Sequence, residues 1–153
     1  MTTSSKRDYV ADPLIGPLLR IPLQSIRAHM LERVRAAGFD DIAPAHFNIL
    51  QHPTPDGLRP SEVAARGQMT KQAANRLIRH LEDHGYIKLE PDPTDQRARV
   101  VRLTKRGRRL IREIRMAVEE VEAEWEERLG RKRLGALRAI LKELAEPPPV
   151  AAQ

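Results

Sequence analysis

The 153-residue sequence contains no cysteine, which excludes disulfides, thiolate metal ligands and thiol-based redox switches. Aromatic residues make up only 3% of it, so the core must be aliphatic. Surfaces that bind single strands by stacking bases on aromatic rings are disfavoured for the same reason. Long apolar runs are missing too, since the longest stretch, Leu14 to Leu19, is broken by Gly16 and Pro17. The polar start, Met1 to Asp8, is not followed by the uninterrupted apolar core of a signal peptide, and the sequence predicts a cytoplasmic protein with no membrane segment. There is no Gly-rich phosphate loop, no Gly-x-Ser-x-Gly elbow and no His-Glu-x-x-His pair. Neither catalytic residues nor a cofactor are therefore expected, and the chain reads as a non-enzyme.

What is present is a soluble globular composition, 41% hydrophobic and 31% charged, with a formal charge of +6 and a pI near 10.2 that favour a polyanionic partner. The placement of that charge says more than its total. Residues 59–112 carry 14 Lys and Arg against 6 Asp and Glu, a local +8, whereas the rest of the chain sums to −2.

Hydrophobic spacing divides the chain into four parts. Residues 1–45 read as a polar tail, frayed to about residue 12, and a dimerisation helix marked by Leu14, Leu18, Ile21, Ile26, Met30, Leu31 and Val34, with Pro17 and Pro22 implying a late start or a kink. Residues 46–108 read as a winged helix-turn-helix, 109–146 as C-terminal dimerisation helices, and 147–153 as a disordered tail. A short helix from Pro44 ends at the turn signal His52-Pro-Thr-Pro-Asp-Gly57. The fold class is mainly α with a small β-wing. Stripes such as Leu134, Leu137, Leu141 and Leu144 are too long for one small module to cover, which predicts a two-fold homodimer through residues 14–37 and 109–145.

Within the central part, Ser61 to Ile87 reads as two short helices across a glycine-containing turn, the second capped by Thr70 and ending at Gly85. Helical periodicity turns Ala74, Leu77, Ile78 and Leu81 to the core and Lys71, Gln72, Asn75, Arg76 and Arg79 to the opposite face. Gln and Asn pair bidentately with adenine and Arg with guanine, while Thr70 and Lys71 at the helix start are placed for phosphate. Beyond it, Ile87 and Leu89 alternate with Lys88 and Glu90, and Val101 and Leu103 with Val100 and Arg102, as in two antiparallel strands with one buried face. The loop between them would be a wing with Arg97 and Arg99 near its tip, suited to a narrow minor groove, and with Asp95 pinning Arg97 by a salt bridge. In the helix after Thr104, basic residues (Lys105, Arg106, Arg108, Arg109, Arg112, Arg115) precede a glutamate block from Glu119 to Glu127. Either both blocks are solvated faces, or the arginines attract phosphate while the acidic block points away.

Asp95-Gln-Arg97, Val100, Val101, Leu103-Thr104 and Gly107 resemble the Asp-x-Arg…Leu-Thr-x-x-Gly wing signature of the multiple-antibiotic-resistance regulator (MarR) family, and Leu77…Leu81-Glu82-x-x-Gly85-Tyr86-Ile87 resembles the end of its recognition helix. The resemblance in element order spans residues 14–145. It implies a homodimer with intertwined terminal helices, bound to double-stranded DNA as a transcription regulator, usually a repressor released by a small-molecule effector. A module using the fold for architectural DNA binding or for a protein partner is the alternative. One departure is the turn Arg66-Gly67-Gln68-Met69, whose glycine stands one place earlier than in many members.

The histidines do not add a metal site on this reading. His80 and His84 have the i, i+4 spacing that can bind zinc, yet only Glu82 and Asp83 flank them and no cysteine exists to help. His29 and His46 fall on helices that the resemblance places near the effector pocket, and packed or surface roles are preferred for both. Trp125, in register with Ile111, Val118 and Leu129, is assigned to interface core.

Overall fold

The computed structural model describes residues 13–50 and 55–145. The two tails read from the sequence, 1–12 and 147–153, and the His52-Pro-Thr portion of the turn lie outside the described residues. The elements are α1 (Ile15–Ala36), a 3-10 turn (Pro44–His46) running into α2 (Phe47–Leu50), α3 (Pro60–Arg66), α4 (Lys71–Asp83), β1 (Ile87–Asp92), β2 (Asp95–Leu103), α5 (Lys105–Leu129) and α6 (Arg131–Ala145). This is the helix-turn-helix and wing between terminal helices that the sequence predicts. No helix among the described residues is long and apolar enough to cross a membrane.

The prolines of α1 do not delay its start, because the helix begins at Ile15 and retains Pro22 inside it. Pro17 falls in the first turn, where an amide N–H has no intrahelical acceptor to lose. Further along, Met30 and Val34 are fully buried and pack with Phe47, Leu50, Ile78, Leu81, Tyr86, Val101, Leu110 and Ile114 into one mainly aliphatic core. Polar links hold α1 against α5 beside that core: Arg33 Nε donates to Glu113 at 3.0 Å, and Glu120 accepts from Arg33 and lies 2.8 Å from His29 Nε2.

In the wing, Ile87 pairs with Leu103 and Leu89 with Val101, with an irregularity between Pro91 and Asp92. Strict alternation predicts Val100 on the outer face beside Arg102, but Val100 is 3% exposed. The approach to α3 shelters that face, with Gly57, Arg59 and Glu62 gathered beside Val100. The same approach caps the free edge of β2, as Gly57 N donates to Val101 O at 2.7 Å and Val101 N to Leu58 O at 2.8 Å.

Helix α4 ends by a paired closure in which Tyr86 N reaches Leu81 O at 2.8 Å and Gly85 N reaches Glu82 O at 2.9 Å, with Gly85 at φ +73°. Just past the wing, Thr104 caps α5 by accepting from Gly107 N at 3.0 Å. Gly107 is required for close approach, since a Cβ there would lie 2.0 Å from the Tyr86 carbonyl oxygen. Gly107→Ala should therefore cost about 1–3 kcal/mol or more by forced displacement of packed backbone. Chemical denaturation checks this, and an unchanged midpoint would show that the carbonyl yields freely.

Candidate nucleic-acid interface

The second helix of the motif is fixed first at its start. Thr70 Oγ1 accepts from Ala73 N at 3.1 Å, satisfying one of the free N–H groups of the first turn. From that cap, Ala74, Ile78 and Leu81 are buried and Leu77 packs against the core, while Lys71, Gln72, Asn75, Arg76 and Arg79 are all exposed on the other side. The structure thus brings the sequence-selected residues onto one solvent face, with the first-turn N–H groups at its leading end.

The displaced glycine of the turn has a structural account. Gly67 adopts an ordinary helical conformation at φ −77°, and it is Gln68 that takes the left-handed one at φ +50°. Gly67 is constrained by space instead, because a Cβ there would meet the Met69 methyl at 2.7 Å and the Asn48 carbonyl at 3.3 Å. The turn therefore places its left-handed residue after the glycine, where a side chain must tolerate it.

Arg97 and Arg99 are both exposed on the wing, Arg97 just past the Pro93-Thr94 turn and Arg99 opposite Pro91. Asp95 does not form the expected salt bridge with Arg97. Its Oδ1 accepts from the Arg97 backbone N at 3.1 Å, so it shapes the strand and leaves the guanidinium unconstrained by that contact. The stronger support is Asp92, to which the sequence alone draws no attention. Asp92 Oδ1 accepts from Thr94 N at 2.8 Å and from Thr94 Oγ1 at 2.7 Å, while Oδ2 receives Arg59 Nε at 2.7 Å and Nη2 at 2.6 Å. The Asp-x-Thr spacing is a legible turn signal, but its partner Arg59 lies 33 residues upstream.

The basic block opening α5 is partly committed to structure. Arg106 Nη2 donates to the Tyr86 hydroxyl at 3.1 Å, with its guanidinium 4.6 Å from the ring centre, and Arg109 lies 5.0 Å over Phe39 while donating to Ala37 O. The glutamates are likewise engaged, Glu119 with Arg115, Glu120 with Arg33, Glu122 with Arg138 and Glu126 with Arg131. Part of each block thus does more than face solvent: Arg106, Arg109, Glu120, Glu122 and Glu126 link α5 to neighbouring segments, while Glu119 pairs with Arg115 within α5 itself.

An exposed polar helix face beside an arginine-bearing hairpin, on a core of this element order, defines a winged helix-turn-helix protein. Residues 41–98 match the sequence model of the MarR family, the family whose wing signature the sequence resembles. It is similar to a transcriptional regulator from Thermotoga maritima, 28% identical over 85% of this chain and 90% of that one with a TM-score of 0.56. A MarR family protein from Mycobacterium tuberculosis, in complex with salicylic acid, is 25% identical over 88% and 98% of the two chains with a TM-score of 0.64. A mutant MarR from E. coli complexed with operator DNA shares the fold at 20% identity, covering 86% and 94%, with a TM-score of 0.67. No curated protein matches the sequence.

The Asp92 carboxyl is held well below its ordinary 3.8, at about 2, by the Thr94 backbone N–H first, then the Thr94 hydroxyl and the Arg59 guanidinium. A carboxyl depressed on folding stabilises the native state above its unfolded value, and that contribution fades as pH falls from 3.8 toward 2. Wild type should accordingly exceed Asp92→Asn in denaturation midpoint at about pH 6 by more than at about pH 2.5. A gap that stays constant across that range would remove the charged form of Asp92 from the stability of the wing.

Proposed function

We propose that the protein is a sequence-specific double-stranded DNA-binding transcriptional regulator, a cytoplasmic ligand-responsive repressor acting as a homodimer on a pseudo-palindromic operator. The observation that carries this reading is the exposed face of α4, where Gln72, Asn75, Arg76 and Arg79 stand clear of the core behind a Thr70-capped first turn. In this reading Gln72, Asn75 and Arg76 read base edges in the major groove, Thr70, Lys71 and Arg79 hold phosphate, and Arg97 and Arg99 enter the flanking minor groove. Asp95 shapes the strand that carries Arg97. The E. coli MarR complexed with operator DNA, which has the same fold, supports the docking mode.

The dimer is supported by apolar surface that the single chain leaves open. Leu14, Ile15, Leu18, Leu19, Ile21 and Leu23 on and before α1 are 46–81% exposed, and on α6 Ile140 is 54%, Leu141 40% and Leu144 70% exposed. Apolar area of this extent on two terminal helices favours burial against another copy. An effector is supported by an open groove of about 370 Å³ between α1, α5 and α6, lined by Ile21, Pro22, Ser25, Trp125, Arg128, Leu129 and Leu137. Its apolar walls and single guanidinium suit a small amphipathic anion, and the salicylic acid in the similar M. tuberculosis protein is of that class. Trp125, which the sequence assigns to interface core, is half-buried on that wall.

Alanine at Gln72, Asn75 and Arg76 should each lower the ratio of operator to bulk-DNA affinity, by ~1–3 kcal/mol for each bidentate pair removed. Competition binding against random duplex measures this, and a wild-type ratio in all three variants would favour an architectural module. Replacing Arg97 and Arg99 with alanine should weaken binding to most sequences and reduce the slope of log affinity against log salt by roughly 0.9 for each phosphate no longer neutralised.

Leu141→Glu with Leu144→Glu should abolish the dimer and, with it, tight operator binding, since both side chains are exposed in the single chain and only a partner would bury the new charges. A folded monomer by sedimentation that still bound operator with full affinity would defeat the two-site reading.

A further inference from the structure

Asp41, in the loop between α1 and the 3-10 turn, folds onto the C-terminal end of α4 beside His80 and His84. Donor atoms of all three side chains lie within 4.8 Å of one another. His80 Nε2 is 2.9 Å from the Asp41 backbone carbonyl and 3.8 Å from its carboxylate Oδ2. That Oδ2 is buried and has no hydrogen-bond partner among the described residues, a costly condition for a carboxylate oxygen unless something is meant to meet it. The other oxygen is occupied: Tyr86 OH donates to Oδ1 at 2.8 Å, with Arg106 Nη2 3.5 Å from it.

The geometry points to a divalent transition-metal site formed by Asp41, His80 and His84, selective for a zinc-like ion. Two imidazoles and one carboxylate form a donor set that suits zinc, nickel or cobalt(II) and leaves positions for water. The tautomer of His84 is already set, because its Nδ1 lies 2.7 Å from the His80 carbonyl and must donate to it, which keeps the lone pair of Nε2 free. His80 is stacked between His46 at 4.4 Å and His84 at 4.1 Å, so its ring plane is held. Loading replaces its hydrogen bond to the Asp41 carbonyl, the imidazole passing to its other neutral tautomer. A tetrahedral ion with bonds of ~2.0–2.1 Å keeps its ligand atoms ~3.3 Å apart, so loading draws the 3.8 Å His80–Asp41 pair together as well as bringing in the exposed His84 side chain. The same exposure gives the ion an entry from solvent.

Tyr86 and Arg106 act behind the ligands. Burial works against the charge of Asp41, but the Tyr86 hydroxyl and nearby positive groups outweigh it and hold the carboxyl below its ordinary range. Tyr86 thereby orients the carboxylate with Oδ2 toward the histidines. The bound ion would tie the end of α4 to the loop after α1, and the assignment stands whether or not α4 reads DNA.

The test is a titration of the untagged, chelator-stripped full-length protein with Co²⁺ and then Zn²⁺, without DNA. One Co²⁺ per chain should bind saturably with visible ligand-field absorption, be displaced by Zn²⁺, and raise the melting temperature. His84→Ala, at an exposed position, and Asp41→Asn, which keeps an acceptor for Tyr86, should each weaken binding at least ~10-fold with the helical circular dichroism unchanged. His29→Ala, on α1, should bind as wild type does. Absence of saturable Co²⁺ binding overturns the site. So does binding that survives both triad substitutions, or binding that is lost in His29→Ala.

Discussion

Tyr86 is gripped at both ends, and the arrangement of the other elements follows from that grip. Its carbonyl accepts from Thr104 N at 3.0 Å and from Thr104 Oγ1 at 3.0 Å, and the bare α-carbon side of Gly107 lies directly against it. Its hydroxyl donates to Asp41, its ring is covered by Arg106 and tilts against Phe39 at 5.9 Å, and the residue is fully buried. One residue therefore joins the end of α4, the start of β1, the first turn of α5 and the loop after α1. The Leu-Thr-x-x-Gly pattern at 103–107 is the sequence trace of this joint. Threonine is needed because its hydroxyl both caps α5 and donates back to residues 85 and 86, and glycine because anything larger would strike the carbonyl.

A second fastening ties the wing to the first helix of the motif. Arg59 stands at the N-cap of α3, and its guanidinium meets Asp92 at the base of the wing turn, while its backbone N donates to Glu62 Oε2 at 2.7 Å. With the edge of β2 covered by residues 57 and 58, and Leu103 N bound to Asp56 Oδ1 at 2.7 Å, the hairpin is held on both strands. A two-stranded ribbon alone is marginal in water. These contacts to the segment before α3 make it a fixed outrigger of the helix-turn-helix.

Most of the architecture was legible because it rests on local rules. Thr70 and Thr104 announced their helices as caps, Gly85 its helix end, and the polar face of α4 followed from periodicity alone. What sequence order hides is pairing at a distance. Asp92 reads as one more acidic residue until Arg59 is brought to it, and Asp41 as loop until α4 is laid across it. Asp95 misled for a related reason: proximity to Arg97 in sequence suggested a side-chain pair, whereas an extended strand offers the nearer backbone N–H. Val100 went astray because alternation assumes one dry face, and the approach to α3 supplies a second. The arginines of early α5 were read by charge, but planar guanidinium stacks well on aromatic rings, and Phe39 and Tyr86 take up Arg106 and Arg109.

These fastenings are unequally distributed along α4. Its C-terminal end is held by the paired closure at Gly85, by Tyr86 and by the Asp41 contacts, whereas its N-terminal end has one threonine cap and a turn that puts Gln68 in a left-handed conformation. The helix has 13 residues, a length of ~20 Å. A tilt of ~5° about the C-terminal anchor therefore moves the leading end by about 1.7 Å, beyond the range over which a bidentate hydrogen bond keeps its geometry. If α4 reads base edges with residues 72 to 76, as proposed, that reading is most sensitive to what happens at residues 80 to 86, at the other end of the helix. Control of such a helix needs no contact with its reading face. It needs only a change in the contacts at Asp41, His80 or Tyr86, where a carboxylate, an imidazole, a phenol and the Arg106 guanidinium converge.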